Sequence, residues 1–315
     1  MIGSDVRRWL YFAIAIVIGI AAFSLVGDVS HLGDRLNGFA WSAFFATIGL
    51  ACANYCMRFV RWQMYLRMQQ VKVPVASSAV VFGAGLSLSI TPAKLGELVK
   101  SYLLREMHDV PAPRTAPIVV AERVTDLIAL LCLAVIGVAA YGIDPTFVIA
   151  AGVLIAIGLV LLAWPRPTRA LIDIATRPAK LRRLREPLHE TLGHLAKLCR
   201  PGPLALATLI AIPAWGCECV GFALICDAFP GAHVDIGLAM VIYAGTTIAG
   251  ALSFLPGGLG VTEGTMTLAL VRWKLDRSTA VAATLLTRVA TLWFAVVLGI
   301  GFLTLARRRI RKRVL

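Results

Sequence analysis

Six ionisable residues stand inside or against apolar stretches of this chain: Glu97, Glu122, Arg123, Asp126, Glu263 and Arg288. A charge at the centre of a membrane helix costs about 2.5–3.5 kcal/mol on insertion scales. Six of them facing lipid would be untenable, so they are expected to face one another or water. Glu122 and Asp126 are four apart and share a helical face, whereas Arg123 projects about 100° away from Glu122. The chemistry that suits such a set is anion capture. Arginine presents a planar fork that pairs two oxygens at once and keeps its charge in a low-dielectric site. Arg123 and Arg288 are therefore candidates to receive a phosphate, with Glu97, Glu263, Asp126, Glu122 and Lys94 beside them as substrate-binding candidates. Glu97 or Glu263 could also exchange protons as the site moves. The competing expectation is structural, with Glu97 paired to Arg123 and Glu263 to Arg288. Glu218 has no partner apparent in the sequence and is left unassigned.

The elements that must carry these residues are membrane helices. The 315 residues are 59% hydrophobic and only 15% charged, against about 25% charged in a soluble domain. Mean hydropathy is +0.81. Six apolar runs approach the ~20 residues that a ~30 Å hydrocarbon layer requires: 9–27, 38–57, 117–141, 145–164, 203–227 and 278–306. The first follows Arg7 and Arg8 and could be a signal peptide, but its apolar core exceeds the usual ~7–15 residues. It is expected to be a retained helix.

Two further apolar stretches are broken in the middle. Segment 76–105 is interrupted around Pro92 and Gly96, and segment 237–273 around Pro256, Gly257, Gly258 and Gly260. Proline removes a backbone donor and glycine frees the chain, so neither stretch suits one continuous helix. Each is expected to be a re-entrant hairpin. Irregular backbone at membrane depth must be buried in protein or line a wet cavity.

The two breaks resemble each other. Residues 88–97 read LSITPAKLGE and residues 252–261 read LSFLPGGLGV, identical at five positions in ten. Downstream, ERVTD at 122–126 aligns with TRVAT at 287–291. The expected organisation is two repeats, 1–142 and 143–315, each with three crossings and one hairpin. Three is odd, so the repeats are inverted. Paired broken helices in inverted repeats are a transporter pattern, with the broken tips forming the substrate site near the midplane.

Charge distribution orients the chain. The expected cytoplasmic segments hold 25 of the 31 Lys and Arg, and the external ones hold Arg35, Arg272, Lys274 and Arg277. Basic residues are retained on the cytoplasmic side, so both termini are expected there. That distribution also accounts for the net charge of +14 without nucleic acid as a partner. Segment 179–199 carries a leucine stripe at three- and four-residue steps with basic residues off it, the pattern of an amphipathic interfacial helix.

Some patterns mislead. His189-Glu190 and His194 imitate a zinc motif, but a spacing of five turns the imidazoles about 140° apart. Cys217 and Cys219 have neither redox nor zinc spacing. The glycines of 257–264 lack the Lys-Ser/Thr of a phosphate loop, and no nucleophile elbow is present. Neither a metal, a cofactor nor enzymatic activity is expected.

Four blocks in order, TPAKLGELVKSYLLR at 91–105, ERVTDL at 122–127, LPGGLGVTEG at 255–264 and RVATLW at 288–293, resemble the flippase-like family. That family is related to the transmembrane region of lysylphosphatidylglycerol synthases. The resemblance implies a prokaryotic membrane protein that handles phospholipids, hopanoid-type lipids or polyprenyl-phosphate-linked sugars. The bifunctional synthases carry a soluble aminoacyl-transfer domain after the membrane part. This chain ends seven residues after Arg308, so translocation of a lipid made elsewhere is the expected role. Its partners would be that lipid or lipid-linked substrate and, in a scaffold role, a lipid-modifying enzyme; a homodimer is compatible.

Overall fold

The computed structural model describes residues 36–141, 144–163, 165–178 and 181–314. The expected crossing at 9–27 lies outside them. The described residues are helical throughout, joined by short turns and without a strand. The helices are α1 (Trp41–Met68), α2 (Val75–Leu86), α3 (Val99–His108), α4 (Ala112–Tyr141), α5 (Thr146–Ala163), α6 (Pro165–Ala175) and α7 (Arg185–Leu198). They continue as α8 (Pro201–Asp227), α9 (Ile236–Leu252), α10 (Val261–Arg272), α11 (Arg277–Arg288) and α12 (Phe294–Val314). A π-helical turn, Val289–Trp293, joins the last two. Among the described residues, four helices can by length and composition cross a membrane: Trp41–Met68, Ala112–Tyr141, Pro201–Asp227 and the joined Arg277–Arg311. The crossing expected at 145–164 is the 18-residue α5, near the lower end of spanning length.

The helix that carries the run 38–57 is longer than the run itself: α1 continues to Met68. Thr47, Ala51, Asn54, Arg58, Arg61 and Tyr65 are all buried in α1, and their steps of three and four put them on one face. Arg58 and Arg61 are therefore interior residues rather than the cytoplasmic loop charges expected from hydropathy. A run of apolar residues ends at a cation in any hydropathy average, but a helix does not end when that cation finds carboxylates inside the protein.

Helix α8 lies along α1, fastened by two side chains. The Thr47 hydroxyl donates to the Gly221 carbonyl at 3.0 Å, and the Asn54 amide donates to that of Ala214 at 2.8 Å. Gly221 permits the approach, since a Cβ there would come within 2.7 Å of the Thr47 methyl. Small residues do this work in membrane proteins because close packing, not water expulsion, drives helix association. The shorter α2 and α9 are each gripped by a long helix from the opposite end of the chain, α2 by α12 and α9 by α4. Gly299 of α12 abuts the Leu86–Ser87 backbone, and Gly137 of α4 abuts the Gly237 carbonyl.

Both broken stretches are helix–turn–helix units. The first runs α2, a 3-10 segment Pro92–Leu98 and α3; the second runs α9, a 3-10 turn Pro256–Gly258 and α10. Their tips touch: a Cβ on Gly257 would lie 3.0 Å from Ile90 Cγ1.

The leucine stripe of 179–199 divides. Leu181, Leu184 and Leu188 are exposed, whereas Leu192 and Leu198 are buried, Leu198 in the cluster containing Trp62, Leu103 and Ile118. The continuous helix begins only at Arg185, after a 3-10 turn, and it packs on α4. Ahead of it stands α6, which hydropathy does not reveal. Arg185 and His189 of α7 reach back to the Asp173 carboxylate of α6 at 2.7 and 2.9 Å. His194 instead bonds to Gln69 at 2.6 Å, so the two histidines of the zinc-like pattern have different partners.

Candidate functional site

The first break is held by its own side chains. The Thr91 hydroxyl donates to the Leu88 carbonyl and accepts from the Gly96 amide, at 2.7 and 2.6 Å. Gly96 fits only without a side chain, because a Cβ would meet Leu88 at 2.6 Å and Thr91 at 2.7 Å. This tight turn delivers Glu97 to the centre of a buried charge cluster. Glu97 lies 3.1 Å from Lys100, 3.4 Å from Arg123 and 3.6 Å from Arg58. Lys100 bridges onward to Glu122 at 2.5 Å. Asp126 is 2.7 Å from Arg61 and 3.1 Å from Arg123, and it accepts a hydrogen bond from the Trp215 indole at 3.1 Å. Four helices and the break thus meet in one network.

Burial makes this network costly and therefore informative. Arg61 and Glu122 are fully buried, and Glu97 and Lys100 are 1% exposed. Arg123 retains 19% side-chain exposure and forms the open side of the cluster. A buried charge is tolerated when it is paired and hydrogen-bonded, yet pairing here is incomplete. Arg58 Nε and Nη2, Arg61 Nε and Arg123 Nε, and the acceptors Glu122 Oε1 and Asp126 Oδ2, are buried without a hydrogen-bond partner among the described residues.

Lys94 stands apart from the ion pairs. Its ammonium sits over the Trp215 ring, 5.4 Å from the centroid, a cation–π distance. Its backbone is left-handed, with φ of 54°, which costs a residue bearing a Cβ about 1–2 kcal/mol. Strain of this kind persists where surrounding structure enforces it, commonly at functional positions.

The second break is simpler. Gly257 and Gly258 have φ of 61° and 67°, and a Cβ on Gly258 would strike the Thr262 hydroxyl at 2.6 Å. Glu263 accepts from the Gly260 amide at 2.7 Å, capping α10, and from Arg288 Nε at 2.6 Å. Arg288 Nη2 also donates to the Gly257 carbonyl at 2.7 Å. One arginine and one glutamate therefore tie the tip of the break to α11. The π-helical turn begins at the next residue, Val289, and Tyr55 of α1 donates to the Thr291 carbonyl within it at 2.8 Å. Such π-bulges occur frequently at functional sites.

The candidates from sequence therefore form two groups. Glu97, Glu122, Arg123 and Asp126 share the first, with Lys94 at its edge; Glu263 and Arg288 form the second. Both ion pairs expected under the structural alternative are present. Glu218 receives a partner, the Tyr243 hydroxyl of α9, and lies within electrostatic reach of Lys94 and Arg58 on one side and Arg288 on the other. Arg58, Arg61, Lys100 and Trp215 were missed as site residues. Arg58 and Arg61 were detectable as an i, i+3 pair continuing the helical periodicity of α1. Lys100 sits three residues after Glu97, a separation at which helical neighbours meet.

Apolar side chains near both breaks are exposed. Leu95, Leu98 and Tyr102 beside the first break are 58%, 39% and 57% exposed, and Phe254 and Leu255 at the second are 69% and 44% exposed.

The chain is similar to a UPF0104 membrane protein of Methanothermobacter thermautotrophicus (strain ATCC 29096 / DSM 1053 / JCM 10044 / NBRC 100330 / Delta H). The two are 23% identical over 318 aligned residues, covering 92% of this chain and 94% of that protein. Residues 10–299 match the family described as Lysylphosphatidylglycerol synthase TM region. With nearly the whole chain matched and its long apolar helices in place, this integral membrane protein belongs to the lysylphosphatidylglycerol synthase TM region family.

Proposed function

We propose that the protein is a flippase, carrying a phospholipid, hopanoid-type lipid or polyprenyl-phosphate-linked sugar across a prokaryotic cytoplasmic membrane. The headgroup passes between the two breaks while acyl or prenyl tails stay in lipid against Leu95, Leu98, Tyr102 and Phe254. Arg123 and Arg288 engage the phosphate in turn, exchanging Glu97 and Glu263 for ligand oxygens. The observation that supports this reading is the buried charge cluster at the first break, in which guanidinium nitrogens of Arg58, Arg61 and Arg123 and carboxylate oxygens of Glu122 and Asp126 are left unpaired among the described residues. Buried polar atoms without partners cost about 1–3 kcal/mol each, so a cluster that keeps them is suited to exchanging its internal pairs for ligand atoms.

In this reading the two halves are inverted repeats, the breaks are re-entrant tips and both termini are cytoplasmic. The reciprocal grip of α12 on α2 and α4 on α9, with the tips in mutual contact, supports a two-fold relation between the halves. Alternating access would then be a rocking of one half against the other.

A scaffold for a lipid-modifying synthase or glycosyltransferase is the second reading. It is favoured by Arg288, whose bonds to Glu263 and the Gly257 carbonyl suffice to explain its presence. The test is lipid scrambling in proteoliposomes, with fluorescent phospholipids and polyprenyl-phosphate sugars. Wild type is compared with Arg288→Ala and Glu263→Gln, all equally folded and inserted. The flippase reading expects wild-type scrambling that both variants reduce to background. Background rates for wild type across the panel, beside an active control, would favour the scaffold.

A further inference from the structure

Helices α6 and α7 form one arm. Arg185 and His189 of α7 reach the Asp173 carboxylate of α6. The far end of α7 is seated on the protein, with Leu192 and Leu198 buried. The near end is not. Leu171 and Ile174 of α6 are 60% and 54% exposed, and their spacing of three puts them on one face. Leu181 and Leu184 in the turn before α7, and Leu188 within it, are exposed as well.

Exposed apolar side chains alone would mark any lipid-facing helix. Here arginines stand among them. Arg169, Arg177, Arg182 and Arg183 are exposed over the same stretch, and none makes an ion pair among the described residues. Hydrocarbon accepts leucine and rejects a guanidinium, so a stretch that carries both belongs at the level of the headgroups. Charge then decides between headgroups. Residues 165–200 hold nine Lys or Arg against Asp173, Glu186 and Glu190, and Asp173 is already taken by Arg185 and His189. A zwitterionic surface offers this excess no net countercharge, whereas an anionic one does.

The arm also stands at a basic end of the molecule. Ile310 of α12 packs against the buried cluster that contains Leu198, and Arg307, Arg308 and Arg309 just before it are exposed. We infer that the α6–α7 arm docks on anionic lipid headgroups. Its leucines enter the acyl boundary, and Arg169, Arg177, Arg182 and Arg183 meet lipid phosphates. The leucine stripe of 179–199 accounts for an interfacial position; α6 and the unpaired arginines add selectivity for negatively charged lipid. The inference does not depend on the flippase reading, since none of these residues belongs to either break.

The test is hydrogen–deuterium exchange of the full chain in nanodiscs. One set is phosphatidylcholine alone, and in the other a third of it is replaced by phosphatidylglycerol. Exchange across 169–190 should be at least about threefold slower in the anionic discs, and high salt should shrink the difference. Arg177→Gln, Arg182→Gln and Arg183→Gln together leave the Asp173 bonds in place and should abolish it. Peptides across the two breaks are the internal reference, and the difference should be confined to the arm. Equal exchange of the arm in the two discs would overturn the inference and favour an acidic protein partner as the occupant. A difference that survives the three glutamine substitutions, or one spread equally over the breaks, would overturn it as well.

Discussion

The two breaks share half their residues over ten positions and almost none of their chemistry. At the first, the residue 164 positions before Gly258 is Lys94, and both adopt positive φ. Glycine takes that conformation without steric cost, whereas lysine is strained by it. Lys94 is one of nine charged groups gathered there, five cationic and four, with Glu218, anionic; around Gly258 stands a single Arg288–Glu263 pair. One sequence pattern thus carries two different sets of contacts. In the function proposed above, the glycine-rich copy is a joint, fixed to α11 by one arginine that bonds both a carboxylate and a carbonyl, and the lysine copy is a receptor. Sequence similarity between repeats reports what the backbone must do, and the substitutions within it report the division of labour.

That contrast can be broken most directly through stability. Lys100 is buried between Glu97 and Glu122, so Lys100→Met strands two carboxylates and should cost about 3–5 kcal/mol. Arg288→Met at the joint leaves one carboxylate and one carbonyl and should cost less, about 1–3 kcal/mol. Unfolding in mixed micelles measures both, and an equal or reversed order would remove the distinction. Opposite signs should follow at the matched strained positions. Lys94→Gly relieves the left-handed backbone and should raise stability by about 1 kcal/mol while weakening phosphate binding. Gly258→Ala places a Cβ 2.6 Å from the Thr262 hydroxyl and 3.1 Å from Gly250, so it should lower stability by about 1–3 kcal/mol. Loss of stability in Lys94→Gly would show that the lysine is structural.

The smallest effect lies outside the spans. Hydrogen bonds from Arg185 and then His189 hold the Asp173 carboxyl below its ordinary range. A depressed acid contributes stability that is full above its unfolded pKa and lost as pH falls through its folded one. The protection of α6 amides, expressed relative to the intrinsic exchange rate at each pH, should therefore fall on acidification below about pH 4, with no matching change at either break. Asp173→Asn should show the lowered protection already at neutral pH.

Much of the architecture is legible in the residues. Apolar runs, two proline–glycine interruptions and an internal match located the helices, the breaks and the pairs Glu97–Arg123 and Glu263–Arg288. What escaped did so for physical reasons. Hydropathy averages treat every arginine as an end of a span, so Arg58 and Arg61 were counted with solvent. Whether a cation faces inward depends on carboxylates such as Asp126, some 65 residues away. The contact of Glu218 with Tyr243 and that of Trp215 with Asp126 join helices whose relative rotation no local pattern encodes. Helix α6 is too short and too polar to register as an apolar run, and it becomes visible through its partner α7.

Gly299 lies against the Leu86–Ser87 backbone where the first break begins, with no room for even a methyl group. Phe302, three residues further along α12, fills the matching notch at Gly83 of α2, where a Cβ would strike its ring. Two glycines, one on each helix, therefore set the spacing of this seam: one admits backbone and the other an aromatic ring. The same helix runs on to the basic residues from Arg307 to Arg313. A single methyl group added at Gly299 is the smallest wedge that would force the two helices apart.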